Sequence, residues 1–217
     1  MKQVLSAFVA VTMFALVFQV QAGAATTSGS EGGAGETVGT ATLHNLQIAY
    51  YAESNAAAAY QRYAAKADSE GYGQVASLFR AVSRGEQVHA ERCAKLIREM
   101  GGTPKVNSEP IFVQSTKENL LAADAEQNYE SDVMYPEYIE QARRDKHAQV
   151  AEVFTQNEGA EPAHHALFQQ ALSDLEAYKG ENVAFYVCSA CGNVARTLNE
   201  TACPLCAGPR EKFEEIR

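Results

Sequence analysis

Apolar residues recur at helical spacing along four stretches of the chain, about 42–68, 72–100, 116–144 and 147–178. In the second, Val75, Leu78, Phe79, Val82, Leu96, Ile97 and Met100 fall on one face at about 100° per residue. In the fourth, the stripe is Val150, Val153, Phe154, Phe168, Leu172 and Leu175. In the first, Leu46, Ala49, Tyr50, Ala57 and Tyr60 flank Glu53, and in the third Leu120, Ala123 and Met134 flank Glu130. Few glycines or prolines interrupt 42–180, and Ala, Leu, Glu, Gln and Lys dominate it, a helical composition. Gly71 and Gly73 mark the first break, and Gly101-Gly102-Thr103-Pro104 ends the second helix. Ser115-Thr116-Lys117-Glu118 is a capping box that opens the third. The last break, near Arg144–His147, is short.

Short connections join antiparallel neighbours, whereas 102–115 is long enough to run the length of a bundle. Short–long–short predicts a ferritin-like four-helix bundle over 42–180. Polar residues interrupt the stripes in a repeated way. Glu86 and His89 lie inside the second, Glu161 and His164 inside the fourth, each pair three residues apart. Every helix thus carries an inward-facing acid near its middle. Several unpaired carboxylates in one core cost many kcal/mol unless they protonate, pair or bind metal. Inward-facing Arg or Lys is scarce, so metal is expected. Two Glu-x-x-His helices and a Glu from each of the others form the di-iron or di-manganese carboxylate site. A salt-bridged polar core is the competing explanation. Cys93, alone on the second stripe, reads as a buried structural thiol.

The tail holds Cys188-x-x-Cys191 and Cys203-x-x-Cys206. Paired knuckles of this kind hold one tetrahedral metal by four thiolates. Iron and zinc both accept such a set, and two disulfides are the non-metal alternative. Gly192 lets backbone amides turn toward sulfur, and Phe185, Tyr186 and Phe213 can cover the metal.

The beginning of the chain reads differently. Lys2, an apolar run from Val4 to about Val20 and Val20-Gln21-Ala22 predict a cleaved signal peptide over 1–22. The mature protein is then expected in the periplasm, with no membrane association. Residues 23–41, rich in Gly, Ser and Thr, read as a flexible linker. The net charge of −9, with no basic cluster, argues against nucleic acid as a partner.

"AESNAAAAYQRY", "EQVHAER", "NYESDVMYPEY", "EPAHHALF" and the four-cysteine tail together resemble the rubrerythrins, over about residues 42–216. The resemblance implies a ferritin-like di-iron domain (42–180) followed by a rubredoxin-like domain (181–217) with one iron on Cys188, Cys191, Cys203 and Cys206. It implies a peroxidase that reduces hydrogen peroxide to water. Electrons enter through the rubredoxin-like iron from an unidentified donor and, in a head-to-tail homodimer, pass to the partner chain's metal pair. Glu53, Glu86 and Glu161 would be ligands, the last two bridging, with His89 and His164 as imidazoles. Glu130 matches the glutamate that exchanges with the first imidazole. Tyr60 and Tyr135 match tyrosines near the metals, with core packing as the plainer alternative. An iron-oxidising, iron-handling protein without peroxide turnover is the rival function. A structural zinc ribbon on an inactive bundle is a third.

Three departures from the family pattern bear on this. Gln127 stands where the family has a ligand glutamate, with Glu126 beside it. In projection Gln127 lies about 40° to one side of the stripe and Glu126 about 60° to the other. A local twist or a π-bulge would bring Glu126 in; otherwise the second iron loses an anionic ligand. Pro162, inside the fourth-helix motif, predicts a kink beside the metals. The third departure is the signal peptide, since the better-known members are cytoplasmic. His165 lies farther from the stripe than His164 and is expected to flank it.

Overall fold

A computed structural model describes residues 40–217 of the chain. The signal-peptide reading falls outside them, as does the linker except for Thr40 and Ala41, which already belong to the first helix. No helix among the described residues is long and apolar enough to cross a membrane.

Helices α1 (Thr40–Ser69) and α2 (Gly73–Glu99) form a tight antiparallel hairpin. Gly71 turns it at φ +83°, a left-handed conformation open to glycine. At the end of α2, Gly102 N–H donates to Ile97 O and Gly101 N–H to Arg98 O, a glycine-closed terminus. The following connection runs along α1: Gln47 bonds Thr103, Asn55 bonds Glu109, and Glu70 accepts from the backbone and hydroxyl of Thr116. This is the long crossover that the connection lengths predict. Ser115 and Glu118 form the expected capping box for α3 (Thr116–Tyr129).

The third expected helix is continuous but changes pitch. A π-helical turn, Glu130–Met134, separates α3 from α4 (Tyr135–Arg144). Pro136 lies one residue past that turn, after Tyr135. A proline has no N–H for the fourth residue back and crowds its carbonyl, and a wider turn accommodates both defects. The fourth expected helix is two helices, α5 (Ala148–Glu158) and α6 (Glu161–Ser173). The expected kink is therefore a break at Gly159–Ala160. Pro162 sits in the first turn of α6, where its missing N–H leaves no bond unmade.

Two apolar clusters lie on either side of a polar centre. One gathers Tyr60, Phe79 and Phe168; the other gathers Leu46, Ile97, Tyr135 and Phe154. The tail is a three-stranded antiparallel sheet in the order β2-β1-β3: β1 Phe185–Cys188, β2 Val194–Ala195, β3 Phe213–Ile216. Its Phe185, Val187 and Val194 belong to the first bundle cluster. Arg84 of α2 grips Glu214 of β3 through two hydrogen bonds of 2.8 and 3.1 Å. Ser77 Oγ accepts from Val183 N–H. The tail thus shares the bundle's core and is pinned beside α2.

Candidate metal centres

Glu53, Glu86, His89, Gln127, Glu161 and His164 are fully buried, and Glu130 is 2% exposed. The helical period brings them inward from α1, α2, α3 and α6, with Glu130 at the start of the π turn, between the two apolar clusters. Glu53, Glu86, His89 and Glu161 offer ligand atoms within 4.8 Å of one another. His89 Nδ1 lies 3.0 Å from Glu86 and 3.1 Å from Glu161. On the other side, His164 Nδ1 lies 3.2 Å from Glu86, 3.0 Å from Glu161 and 2.8 Å from Gln127 Oε1. Glu86 and Glu161 face both imidazoles, as two bridging carboxylates must.

Unsatisfied atoms test whether cations fit. Glu53 Oε2, Glu86 Oε2, His89 Nδ1 and both oxygens of Glu161 are buried without a hydrogen-bond partner. The far ring nitrogens are occupied: His89 Nε2 is 3.0 Å from Cys191 O, and His164 Nε2 is 3.2 Å from Gly192 O. A carbonyl only accepts, so each Nε2 carries hydrogen. Each neutral ring then aims a bare Nδ1 lone pair at carboxylate or amide oxygens. Convergent lone pairs around two points are what two divalent cations require.

Without metal, protons fill that role. Burial, opposed by His89, lifts Glu53 to about 8. Burial alone would depress His164, but Glu86 and Glu161 outweigh it and raise the imidazole to about 10. Burial would raise Glu86, yet the two imidazoles hold it at about 2. Incoming cations must displace the protons on Glu53 and the imidazoles. Metal uptake at neutral pH is therefore expected to release protons, and metal affinity to rise with pH until Glu53 (about 8) and His164 (about 10) have lost theirs. Indicator-dye proton counts during metal titration of metal-free protein check this; uptake without proton release would contradict it.

Tyr135 Oη donates to Glu53 Oε1 and accepts from Asn157 Nδ2 at 3.1 Å. Asn157 in turn accepts from half-buried Arg92 at 2.8 Å. Burial and the Glu53 charge raise Tyr135 well above its ordinary value, so it remains a donor. Tyr60 Oη donates to Glu126 at 2.9 Å. Glu126 therefore stands against Tyr60, apart from the ligand cluster, and Gln127 holds the inward place. A π-bulge is present, but it begins at Glu130, after Glu126, and does not swing Glu126 in. Glu130 is close by yet outside the cluster, its Oε2 accepting from Gln127 Nε2 at 3.1 Å. His165 flanks the site as expected, 2.9 Å from Asp124. Cys93 is a buried thiol beside Asn157, pushed by burial up to about 12. Asn157 and Arg92 went unnoticed in the sequence; the one signal for Asn157 is its place one turn before Glu161.

The four cysteine sulfurs gather at the tip of the sheet. Cys188 and Cys206 sulfurs are 3.7 Å apart, and those of Cys191 and Cys203 are 3.6 Å apart. A tetrahedron with metal–sulfur bonds of about 2.3 Å has edges of about 3.8 Å, whereas a disulfide is about 2 Å long. All five cysteines are free. Hydrogen bonds from Cys191 and from the Ala190 and Cys191 amides lower the Cys188 thiol to about 5, outweighing burial. Gly192, at φ +85°, turns the first knuckle. That knuckle seats on the His89 and His164 imidazoles of its own chain. Gly85 and Gly192 make the approach feasible. A Cβ on Gly85 would lie 2.7 Å from Gly192 O, and one on Gly192 would lie 2.6 Å from His89 Cδ2.

Fold and donors together define a class, the ferritin-like di-iron carboxylate proteins, here carrying a rubredoxin-like four-thiolate iron site as well. Known proteins narrow this. The rubrerythrin family model matches residues 44–172. Nigerythrin of Nitratidesulfovibrio vulgaris is 31% identical over 173 residues, covering 79% of this chain and 85% of that protein. Rubrerythrin-1 of Clostridium acetobutylicum is 31% identical over 185 residues, covering 81% and 94%. A nigerythrin structure in a mixed-valence state superposes with a TM-score of 0.75 at 29% identity, over 88% of this chain and 90% of that one. The chain belongs to the rubrerythrin family, whose members are generally oxidoreductases.

Proposed function

We propose that the protein is a peroxidase that reduces hydrogen peroxide to water, with electrons relayed by the four-cysteine iron, in defence against oxidative stress. The balance is one peroxide, two protons and two electrons to two waters. When bound, the iron pair supplies the electrons and a Lewis-acidic seat for an oxygen ligand. The observation that carries the reading is the seating of the first knuckle. The backbone carbonyls of Cys191 and Gly192 accept from both imidazoles of the metal pair. A short covalent and hydrogen-bonded path thus joins a one-electron site to a two-electron site, an arrangement with little use in iron storage alone.

The other residues divide the remaining work. Glu86 and Glu161 hold the two cation positions together. Tyr135 holds a proton at Oη against Glu53, and Tyr60 holds one against Glu126, at two edges of the site. Apolar side chains above and below exclude bulk water. Export to the periplasm, a homodimer and a periplasmic one-electron donor complete the proposal; the leader-like start of the sequence and the family resemblance support them.

The test is to reduce the metal-loaded protein without oxygen and then add peroxide or dioxygen. The returning colour of the ferric four-thiolate centre reports electron flow. Peroxide is expected to restore it fastest, with one peroxide consumed per two electrons. If dioxygen restores it and peroxide does not, the iron-handling function replaces this one.

A further inference from the structure

Gln127 makes contacts that a glutamate in its place could not make. Its Nε2 lies 3.1 Å from Glu86 Oε1, 3.1 Å from Glu130 Oε2 and 3.4 Å from Tyr60 Oη. An amide has two hydrogens, and the two nearer oxygens take them; Tyr60 already donates its own hydrogen to Glu126. The amide orientation follows from chemistry. Turned over, Oε1 would face the oxygens of Glu86 and Glu130, acceptor against acceptor. As placed, Oε1 faces the second cation position beside His164 Nδ1. The buried atoms left without partners point the same way. Those around the cation positions belong to Glu53, Glu86, His89 and Glu161, and no oxygen of Glu130 is among them. Glu130 is the one carboxylate of the α3 side that reaches the site, and it is tied aside.

We propose that Gln127 is a positioning residue whose amide nitrogen tethers Glu130 off the first cation position, leaving that position to His89. Its carbonyl oxygen is a neutral donor to the second position. The consequence is electrostatic. A carboxylate that joins the pair favours the ferric state over the ferrous one, because it adds negative charge at the metal. Tethering it therefore keeps the pair easier to reduce and harder to oxidise. The inference depends on the metal pair alone and holds whether or not peroxide is the oxidant.

The experiment uses the full metal-loaded protein and the variants Gln127→Glu and Gln127→Leu. Crystal structures of the oxidised and reduced wild type are expected to keep Glu130 on Gln127 Nε2, beyond ligand distance. In Gln127→Glu, Glu130 is expected to swing onto the first metal. Redox titration of the pair is expected to show a lower potential in both variants. A tenfold change in preference appears as about 59 mV for one electron. The four-cysteine iron in the same titration should not move. Gln127→Leu separates tether from charge, since it removes the amide without adding an anion. Glu130 bound to metal in the oxidised wild type overturns the proposal. So does a potential that falls in Gln127→Glu and is unchanged in Gln127→Leu. If the leucine variant does not fold, the Gln127→Glu structure decides alone.

Discussion

Gly192→Ala is expected to disconnect the two metal sites while leaving both filled. Gly192 has φ +85°, and a Cβ there would stand 2.6 Å from His89 Cδ2 and 2.9 Å from Gly85 O. Neither neighbour can retreat. His89 is fixed by its ligand role, and Gly85 O is helix backbone. The left-handed conformation adds about 1–2 kcal/mol of strain for any residue with a Cβ. The first knuckle must therefore lift, breaking the bonds from His89 Nε2 to Cys191 O and from His164 Nε2 to Gly192 O. The rest of the tail has other anchors, the Arg84–Glu214 pair and Phe185 in the shared core, so it should remain folded. A displacement of about 1 Å at a functional contact can cost about a hundredfold in rate. Stopped-flow reoxidation of the four-cysteine iron by peroxide is expected to slow about ten- to a hundredfold, with unchanged metal content. Unchanged electron flow would mean that the knuckle contact is not the route.

Glu86→Gln is expected to empty the di-iron centre and leave the four-cysteine iron in place. Glu86 is the carboxylate held at about 2, fully charged at any working pH, and it faces both imidazoles at 3.0 and 3.2 Å. Glutamine keeps the shape and loses the charge. Both cation positions then lack a shared anion, and the imidazoles lose a charged partner in a fully buried site. Breaking one side of a buried charge pair costs about 3–5 kcal/mol. The metal-free variant is thus expected to melt below the metal-free wild type. Elemental analysis should find only the metal of the tail, and the visible band of the ferric thiolate centre should persist. Retention of the metal pair would show that Glu161 alone bridges it.

Much of this site was legible in the sequence because its ligands lie on regular helices. Residues three apart on a helix project together, so Glu86 with His89 and Glu161 with His164 announce a shared inward face. Glu53 and Glu130 are found by their apolar neighbours. The cysteine knuckles carry their own spacing. Glu126 and Gln127 mark the limit of that logic. Their projections differ from the stripe by similar angles, and no periodicity chooses between them. The choice came from Tyr60, whose hydroxyl takes Glu126, and from the π turn, which begins too late to rotate it inward. The break before Pro162 had a similar origin. A proline inside a motif predicts distortion, yet only the chain's path shows that a new helix begins there.

The sequence by itself determined the bundle and most of the side chains that converge at the two metal sites, because side-chain type and helical period suffice for those. Only the tertiary structure decided how the sites meet. The knuckle touches the imidazoles through backbone carbonyls of Cys191 and Gly192, and Gly85 admits it by having no side chain. Asn157 joins Tyr135 across the bundle. Every residue carries a carbonyl, and a missing side chain has no chemistry of its own. Such contacts leave no mark in a sequence until folding brings the segments together.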